Sequence, residues 1–104
     1  MLKVNIEFRK GILFVRLNGS LNKTTGTKLS TYLTPLIINY GIRYLVINLN
    51  NISYANKKGI YLLEKTIKNT ELNNGISLIC NSKYNINKYM NIDNELSAIK
   101  IINI

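Results

Sequence analysis

Apolar and polar residues alternate at the start of the chain, which is the pattern of a half-buried β-strand. The apolar positions there are Leu2, Val4, Ile6 and Phe8. Lys10 and Gly11 form a predicted turn, and Ile12 to Leu17 is predicted to be the second arm of a hairpin. Asn18 and Gly19 break the alternation and are expected to end that strand.

From Thr25 onward the apolar residues recur at helical spacing. They form one stripe, made by Leu29, Leu33, Leu36, Ile37 and Tyr40. Thr24 or Thr25 can cap the start of this helix, and Gly41 is placed to end it. Pro35 lacks a backbone donor and clashes with the preceding turn, so we expect one helix with a kink at this residue.

The middle of the chain predicts a strand, a loop, a helix and a further strand. Tyr44 to Leu49 is a dense apolar run, typical of a central strand that is covered on both faces. A loop is expected from Asn50 to Asn56. The helix that follows is marked by Ile60, Leu63 and Ile67. Asn73-Asn74-Gly75 is a stop signal for it, and Ile76 to Cys80 predicts the next strand.

The last quarter of the chain allows more than one interpretation. Ser82 to Asn87 suits a short helix, and Tyr89 to Ile92 suits a short strand. Asp93 could cap a closing helix with an apolar stripe made by Leu96, Ile99 and Ile102. A terminal strand from Lys100 to Ile104 is the competing interpretation.

The predicted order of elements is β-β-α-β-α-β-α-(β)-α, an α/β arrangement. Strand–helix–strand units imply right-handed crossovers, so we expect a mixed, mostly parallel sheet of four to five strands with helices packed on it. A length of 104 residues fits a single domain. No apolar run approaches the roughly 20 residues that span a bilayer, and the first residues do not form a signal peptide. We therefore expect a cytoplasmic domain.

The residue composition excludes several kinds of chemistry. The chain has no histidine, which excludes a Ser-His-Asp or Cys-His catalytic unit and imidazole metal ligands. Its single cysteine, Cys80, ends an apolar strand and is expected to be a buried packing residue. The five carboxylates are dispersed along the chain, and we see no acid–base pair among them. We therefore expect a protein that is not an enzyme, with no cofactor and no metal site.

The net charge of +9, from 14 lysines and arginines against 5 acids, has two interpretations. It favours an anionic partner, either nucleic acid or an acidic protein surface. However, half of the residues are Ile, Asn, Lys or Tyr, which share A/T-rich codons, so a biased genome also accounts for the basic composition. The chain has no arginine-rich run, helix-turn-helix pattern or aromatic-glycine RNA-binding motif. A small basic nucleic-acid-binding domain therefore stays as the second hypothesis.

Two segments carry a more specific pattern. The first is Leu17-Asn18-Gly19-Ser20-Leu21-Asn22, an apolar strand that ends in a polar turn. The second is residues 45–60, LVINLNNISYANKKGI, which read as a strand, a loop and a helix start. With the order of elements, they resemble the STAS domain of anti-sigma-factor antagonists and of sulfate-transporter cytoplasmic tails. The resemblance covers nearly the whole chain and implies a single STAS-like domain over residues 1–104 that binds another protein.

The chemistry departs from that family at its Asp-Ser-Ser-Gly motif. Asn56 stands at the aspartate position, Lys57 and Lys58 stand at the serine positions, and only Gly59 matches. Asn22 likewise replaces the aspartate of the family's Gly-x-Leu-Asp turn. In antagonists that switch, a serine of the motif is phosphorylated by a kinase anti-sigma factor. Lysine has no hydroxyl, and its charge is opposite to that of phosphoserine, so the resemblance implies binding without this phospho-switch.

The expected partner-binding surface comprises the loop from Ile52 to Gly59, the first turns of the next helix and the turn from Asn18 to Asn22. Its candidate residues are Asn22, Ser53, Tyr54, Asn56, Lys57, Lys58 and Gly59. The resemblance implies a protein partner, which is an anti-sigma factor, a sigma factor or another STAS protein. An antagonist that is phosphorylated on another serine, Ser53 or Ser82, is the remaining alternative.

Four of these residues also have simpler interpretations. Asn56 suits a helix cap, and Gly59 suits a close approach of helix and sheet. Lys57 and Lys58 are either solvated residues that follow the codon bias or recognition residues. A cation at a helix N-terminus costs about 0.3–1 kcal/mol, which favours their retention for an acidic partner or a phosphate.

Overall fold

The computed structural model describes residues 1–80, 83–84, 86 and 89–102. Its elements are β1 (Leu2–Arg9), β2 (Ile12–Leu21), α1 (Lys23–Asn39), β3 (Tyr44–Ala55), α2 (Lys57–Ile67), a 3₁₀ helix (Lys68–Asn73), β4 (Ile76–Cys80), β5 (Met90–Ile92) and α3 (Glu95–Ile102). The strands form one sheet in the order β1-β2-β3-β4-β5, with β1 antiparallel to β2 and the other neighbours parallel. The predicted α/β fold with a mixed, mostly parallel sheet is confirmed, and the sheet has five strands.

Two strands are longer than predicted. β2 continues past Asn18 and Gly19, and β3 runs to Ala55 through the segment predicted as a loop. The added residues pair with each other in parallel, and the register shifts between Arg16 and Asn18 and again between Gly19 and Ser20. A bulge interrupts the alternation of buried and exposed positions. For this reason the strand ends resembled turns in the sequence, and the predicted boundaries were wrong.

Helix α1 begins earlier than predicted, because its cap is Asn22 and not Thr24 or Thr25. The helix continues through Pro35, so the prediction of one helix rather than two is confirmed. Gly41, with φ of +58°, follows the C-terminal cap as predicted, since glycine adopts this left-handed conformation without a Cβ penalty. Among the described residues, none of the helices has the length and hydrophobicity needed to cross a lipid bilayer.

Helices cover both faces of the sheet. On the first face, α1 and α2 pack over the strands, and the buried residues include Leu17, Leu33, Ile47 and Leu63. On the second face α3 packs over a smaller cluster that includes Phe14, Val46, Cys80 and Ala98. β3 is thus buried on both faces over Leu45–Ile47, as its apolar run predicted, and Cys80 is buried as expected.

The C-terminal region forms a helix, which was one of the two structures that the sequence allowed there. Residues 95–102 form the helix α3, so a strand that starts at Lys100 is wrong, and residues 103–104 lie outside the described residues. The cap is Asn94 and not Asp93, because Asn94 Oδ1 accepts a hydrogen bond from the Ser97 amide at 2.9 Å. The predicted short strand is present as β5, and three of the six residues of the predicted helix over 82–87 lie outside the described residues.

An ionic cluster holds α3 against the second face of the sheet. Arg16 on β2 donates through Nε and Nη2 to both carboxylate oxygens of Glu95, at 2.9 and 2.7 Å, and Nη2 also donates to Glu7 at 2.7 Å. The Arg16 hydrogen bonds, and then one from Asn48 at 2.8 Å, hold the pKa of Glu95 below its ordinary value. Two carboxylates that the sequence placed in separate elements therefore meet at one guanidinium.

Candidate functional site

The ends of β2 and β3 bring two strand–helix junctions side by side. The two strands are parallel, so both end at the same edge of the sheet, with Leu21 opposite Ala55. The Asn56 amide donates to the Leu21 carbonyl at 3.1 Å, which joins the two junctions directly. We call residues 18–22 and 52–59 the junction surface, and it contains the seven candidate residues predicted from the sequence.

Asparagine caps the helix at each junction. Asn22 Oδ1 accepts from the Thr25 amide at 3.0 Å, and Thr25 Oγ1 accepts from the Asn22 amide at 2.9 Å, which completes a reciprocal capping box. Asn56 Oδ1 accepts from the Gly59 amide at 2.9 Å, so the predicted cap at Asn56 is confirmed. Sequence reasoning missed the first cap, although the spacing of Asn22 and Thr25 is the signal that would have found it.

Gly59 packs the start of α2 directly onto the end of β2. A Cβ built at Gly59 would lie 2.3 Å from the Leu21 carbonyl oxygen and 2.8 Å from the Asn22 amide nitrogen. Both are backbone atoms, which cannot rotate out of the way. The prediction that this glycine allows a close approach of helix and sheet is confirmed.

Helix α1 approaches the same place through a second glycine that the sequence did not single out. A Cβ built at Gly26 would lie 3.6 Å from the Gly59 Cα and 3.0 Å from the Leu62 Cδ1. The first turns of the two helices therefore lie against each other, and their positively polarised N-termini are adjacent.

The charged residues at this place are all cations. Lys57 and Lys58 are exposed in the first turn of α2, and Lys23 is exposed in that of α1, while neither first turn contains an acid. The Lys58 Nζ lies 5.3 Å from the centre of the Tyr61 ring, a cation–π distance. Within the part of the chain that the structure describes, Lys57 and Lys58 form no ion pair. The junction surface, together with the adjacent Lys23, thus joins two helix dipoles to three cations without a counter-charge in either first turn.

The other two candidate residues lie on the last residues of β3. The Ser53 hydroxyl is exposed and donates to the Gly19 carbonyl at 3.1 Å. Tyr54 pairs with Ser20 of β2, and its ring is exposed beside the lysines in sequence. The sequence placed both residues in a loop, but they belong to a strand that pairs with the end of β2, so the two segments of the junction surface are joined through the sheet.

Comparison with known proteins agrees with this architecture. The model of the STAS domain family matches residues 3–103. The chain belongs to the STAS domain family. This STAS domain is similar in structure to the anti-sigma factor antagonist SpoIIAA in its unphosphorylated form, with a TM-score of 0.80 and 17% identity over 97% of this chain and 98% of that one.

Two further solved structures show the same fold. An anti-sigma factor antagonist from Mycobacterium paratuberculosis superposes with a TM-score of 0.81 and 13% identity, over 100% of this chain and 96% of that one. SpoIIAA from Bacillus in its phosphorylated form gives a TM-score of 0.75 and 16% identity, over 96% and 99% of the two chains. The identities are low, so these matches establish the fold of this STAS domain.

Asn56→Asp, which replaces the capping amide by a carboxylate, is expected to raise the free energy of unfolding by about 0.3–1 kcal/mol at neutral pH. The carboxylate can still accept from the Gly59 amide, and its charge faces both the helix dipole and two lysines. Urea denaturation measures the gain, which should shrink in high salt. The matched control is Asn50→Asp on exposed β3 backbone, and an equal gain there would contradict the capping explanation.

Proposed function

We propose that this STAS domain is a non-enzymatic protein–protein interaction module. It works as an anti-sigma-factor antagonist in the cytoplasm, as one domain over residues 1–104, and without a serine phospho-switch. The partner is an anti-sigma factor, a sigma factor or another STAS protein. It binds the junction surface, where Asn22, Ser53, Tyr54, Asn56, Lys57, Lys58 and Gly59 form or support the contact.

The observation that carries this proposal is the pairing of two helix N-termini with three exposed cations. A cation at such an end is electrostatically unfavourable in the free protein. An acidic side chain of a partner removes this cost, because it meets Lys57 or Lys58 and the free amides of the first turn together. Exposed Tyr61, whose ring lies near Lys58, and exposed Tyr54 at the end of β3 supply the rigid apolar area that anchors protein interfaces.

The positions of Lys57 and Lys58 support the proposal that the switch is missing. They occupy the first two residues of α2, immediately after the Asn56 cap, where the family motif has its serines. One relative, SpoIIAA, has been solved in both unphosphorylated and phosphorylated forms. Phosphoserine would bring negative charge to this helix end, whereas lysine brings constant positive charge. We infer that the domain is permanently competent to bind and is regulated by its amount or by its partner.

Capture of the partner from the native host tests the proposal. Tagged wild-type protein is expected to retain an anti-sigma factor, a sigma factor or another STAS protein. A double variant, Lys57→Glu with Lys58→Glu, is expected to retain about tenfold less or worse, because it reverses both charges at the contact. Glutamates at the start of α2 stabilise the helix, so this loss cannot come from unfolding.

The matched control reverses two charges on the same helical segment, away from the junction surface. Lys65→Glu with Lys68→Glu changes the net charge equally, and both residues are exposed. This control should capture the partner as the wild type does. If both variants lose the same amount of captured partner, the loss reflects the net charge of the domain and not a contact at Lys57 and Lys58. Recovery of none of the three partner classes would contradict the proposed function.

The intact mass of the bait from the same host tests the missing switch. We expect the unmodified mass, since the motif has no serine. A stoichiometric phosphate on Ser53, whose hydroxyl is exposed at the junction surface, would contradict this part of the proposal and support the alternative of a displaced switch. Ser82 lies outside the described residues and is mapped in the same measurement.

A further inference from the structure

Strand β1 has a free edge along its whole length. Its eight residues pair with β2 in an unbroken antiparallel register, and no other described strand pairs with it. Every second backbone N–H and C=O of β1 therefore points away from the sheet without a strand partner. The segment contains no proline and no register shift, so its protection against an added strand is limited to the charged side chains Lys3, Glu7 and Arg9.

The apolar face of β1 is covered incompletely. Leu2, Val4, Ile6 and Phe8 face the side of the sheet on which α1 lies. The helix leaves Phe8 63% exposed and Val4 36% exposed, and its C-terminal cap, Tyr40, is 75% exposed. A strip of apolar surface thus follows the seam between β1 and α1.

Two cavities lie one after the other along this seam. The first, of about 310 Å³, is lined by Leu2 and Val4 with Leu29 and Tyr32 of α1. The second, of about 360 Å³, is lined by Ile6 and Phe8 with Leu36 and Tyr40. They are four residues apart along β1, or about 13 Å. Side chains i and i+4 of a strand share a face at this spacing, so one added strand could fill both cavities.

The charge around the seam selects the occupant. β1, its turn and α1 carry five cations, Lys3, Arg9, Lys10, Lys23 and Lys28. Their one carboxylate, Glu7, is already paired with Arg16. A second copy of this chain would bring a further charge of +9 to the same place, which opposes self-association. An acidic segment is complementary to it.

We propose that the free edge of β1 binds an extended acidic segment of a partner protein as a sixth strand. Two apolar side chains of that segment, four residues apart, fill the two cavities. The alternate residues on its other face are acidic and lie beside Lys3 and Arg9, which share a face of β1. Main-chain hydrogen bonds supply affinity and the cavities supply specificity, the general logic of strand addition.

A synthetic peptide of about ten residues that alternates glutamate with leucine or valine is the probe. It is titrated into isotope-labelled protein and followed by NMR. We expect chemical-shift changes along β1 and α1, together with slower hydrogen exchange at alternate amides of β1. A scrambled peptide of equal composition, with its apolar residues adjacent, is expected to bind at least about tenfold more weakly because it cannot fill both cavities.

Phe8→Lys is the test variant, since Phe8 is 63% exposed and its replacement should leave the fold intact. The affinity for the alternating peptide should fall about tenfold or more. Leu96→Lys, at a residue of α3 that is 58% exposed, is the matched control and should bind as the wild type does. Equal binding of both peptides, shifts outside the seam, or a dimer in ultracentrifugation that Phe8→Lys abolishes would each overturn the proposal, the last in favour of a second copy.

Discussion

Gly59→Ala is expected to lower the free energy of unfolding by at least about 3 kcal/mol, at or above the upper end of the usual range for overpacking. The added methyl would lie 2.3 Å from the Leu21 carbonyl oxygen and 2.8 Å from the Asn22 amide nitrogen. Because both atoms belong to backbone that is hydrogen-bonded in β2 and at the α1 cap, relief requires α2 to move as a whole. Urea denaturation monitored by circular dichroism measures the loss.

The matched control is Gly26→Ala on the neighbouring helix. Its methyl would lie 3.0 Å from Leu62 Cδ1 and 3.1 Å from Leu62 Cβ, so a small shift of one side chain relieves the contact, and alanine improves the intrinsic helix propensity by about 1 kcal/mol. The net change should lie within about 1 kcal/mol of the wild type. Similar losses in the two variants would contradict the claim that backbone contact, and not general crowding between the helices, makes Gly59 indispensable.

This contrast separates two roles within one motif. Gly59 fixes where α2 begins relative to β2, a packing requirement that does not depend on which residues precede it. Lys57 and Lys58 are exposed and make no demand on the packing. The packing therefore requires the glycine at position 59, whereas it leaves the residues at positions 57 and 58 free to vary.

Several features set by neighbouring residues were predicted from the sequence, although the helix caps at Asn22 and Asn94 were not. The hairpin turn at Lys10 and Gly11, the end of α1 at Gly41 and the cap at Asn56 each depend on residues within a few positions. Strand β4 also has its predicted bounds. Short-range propensity and capping chemistry are sufficient for such elements.

Features set by distant residues were not predicted. β3 continues beyond Leu49 because the end of β2 pairs with it, some thirty residues away in the chain, and the bulge in that pairing hides the alternation. Arg16 and Glu95 lie 79 residues apart and meet only once α3 folds onto the sheet. The candidate residues came from motif resemblance. The contacts of Asn56 and Gly59 with the Leu21 carbonyl, which join the two junctions, could be found only in the fold.

Arg16→Met is expected to lower the free energy of unfolding by about 2–3 kcal/mol, less than a fully buried pair because Arg16 is partly exposed. It removes the donors from Glu95, whose side chain is only 18% exposed, and leaves that carboxylate with Asn48. The double variant Arg16→Met with Glu95→Leu should recover part of the loss, since apolar replacement of a buried pair is often neutral. A double variant with the summed losses of both single variants would contradict coupling between these residues.

The same cluster predicts how stability depends on pH. Arg16 lowers the pKa of Glu95 from its ordinary value of 4.5, so unfolded chains bind this proton more readily than folded ones. The stabilisation is therefore complete above the unfolded pKa and is lost as the pH falls through the lower, folded value. The two carboxylates raise the pKa of Arg16, which stays charged throughout this window.

Urea denaturation between about pH 6 and pH 3 should show a steeper loss of stability for the wild type than for Glu95→Gln. Equal slopes would mean that Glu95 does not titrate differently in the folded and unfolded chains, and the ionic cluster would then not be what holds α3 to the sheet.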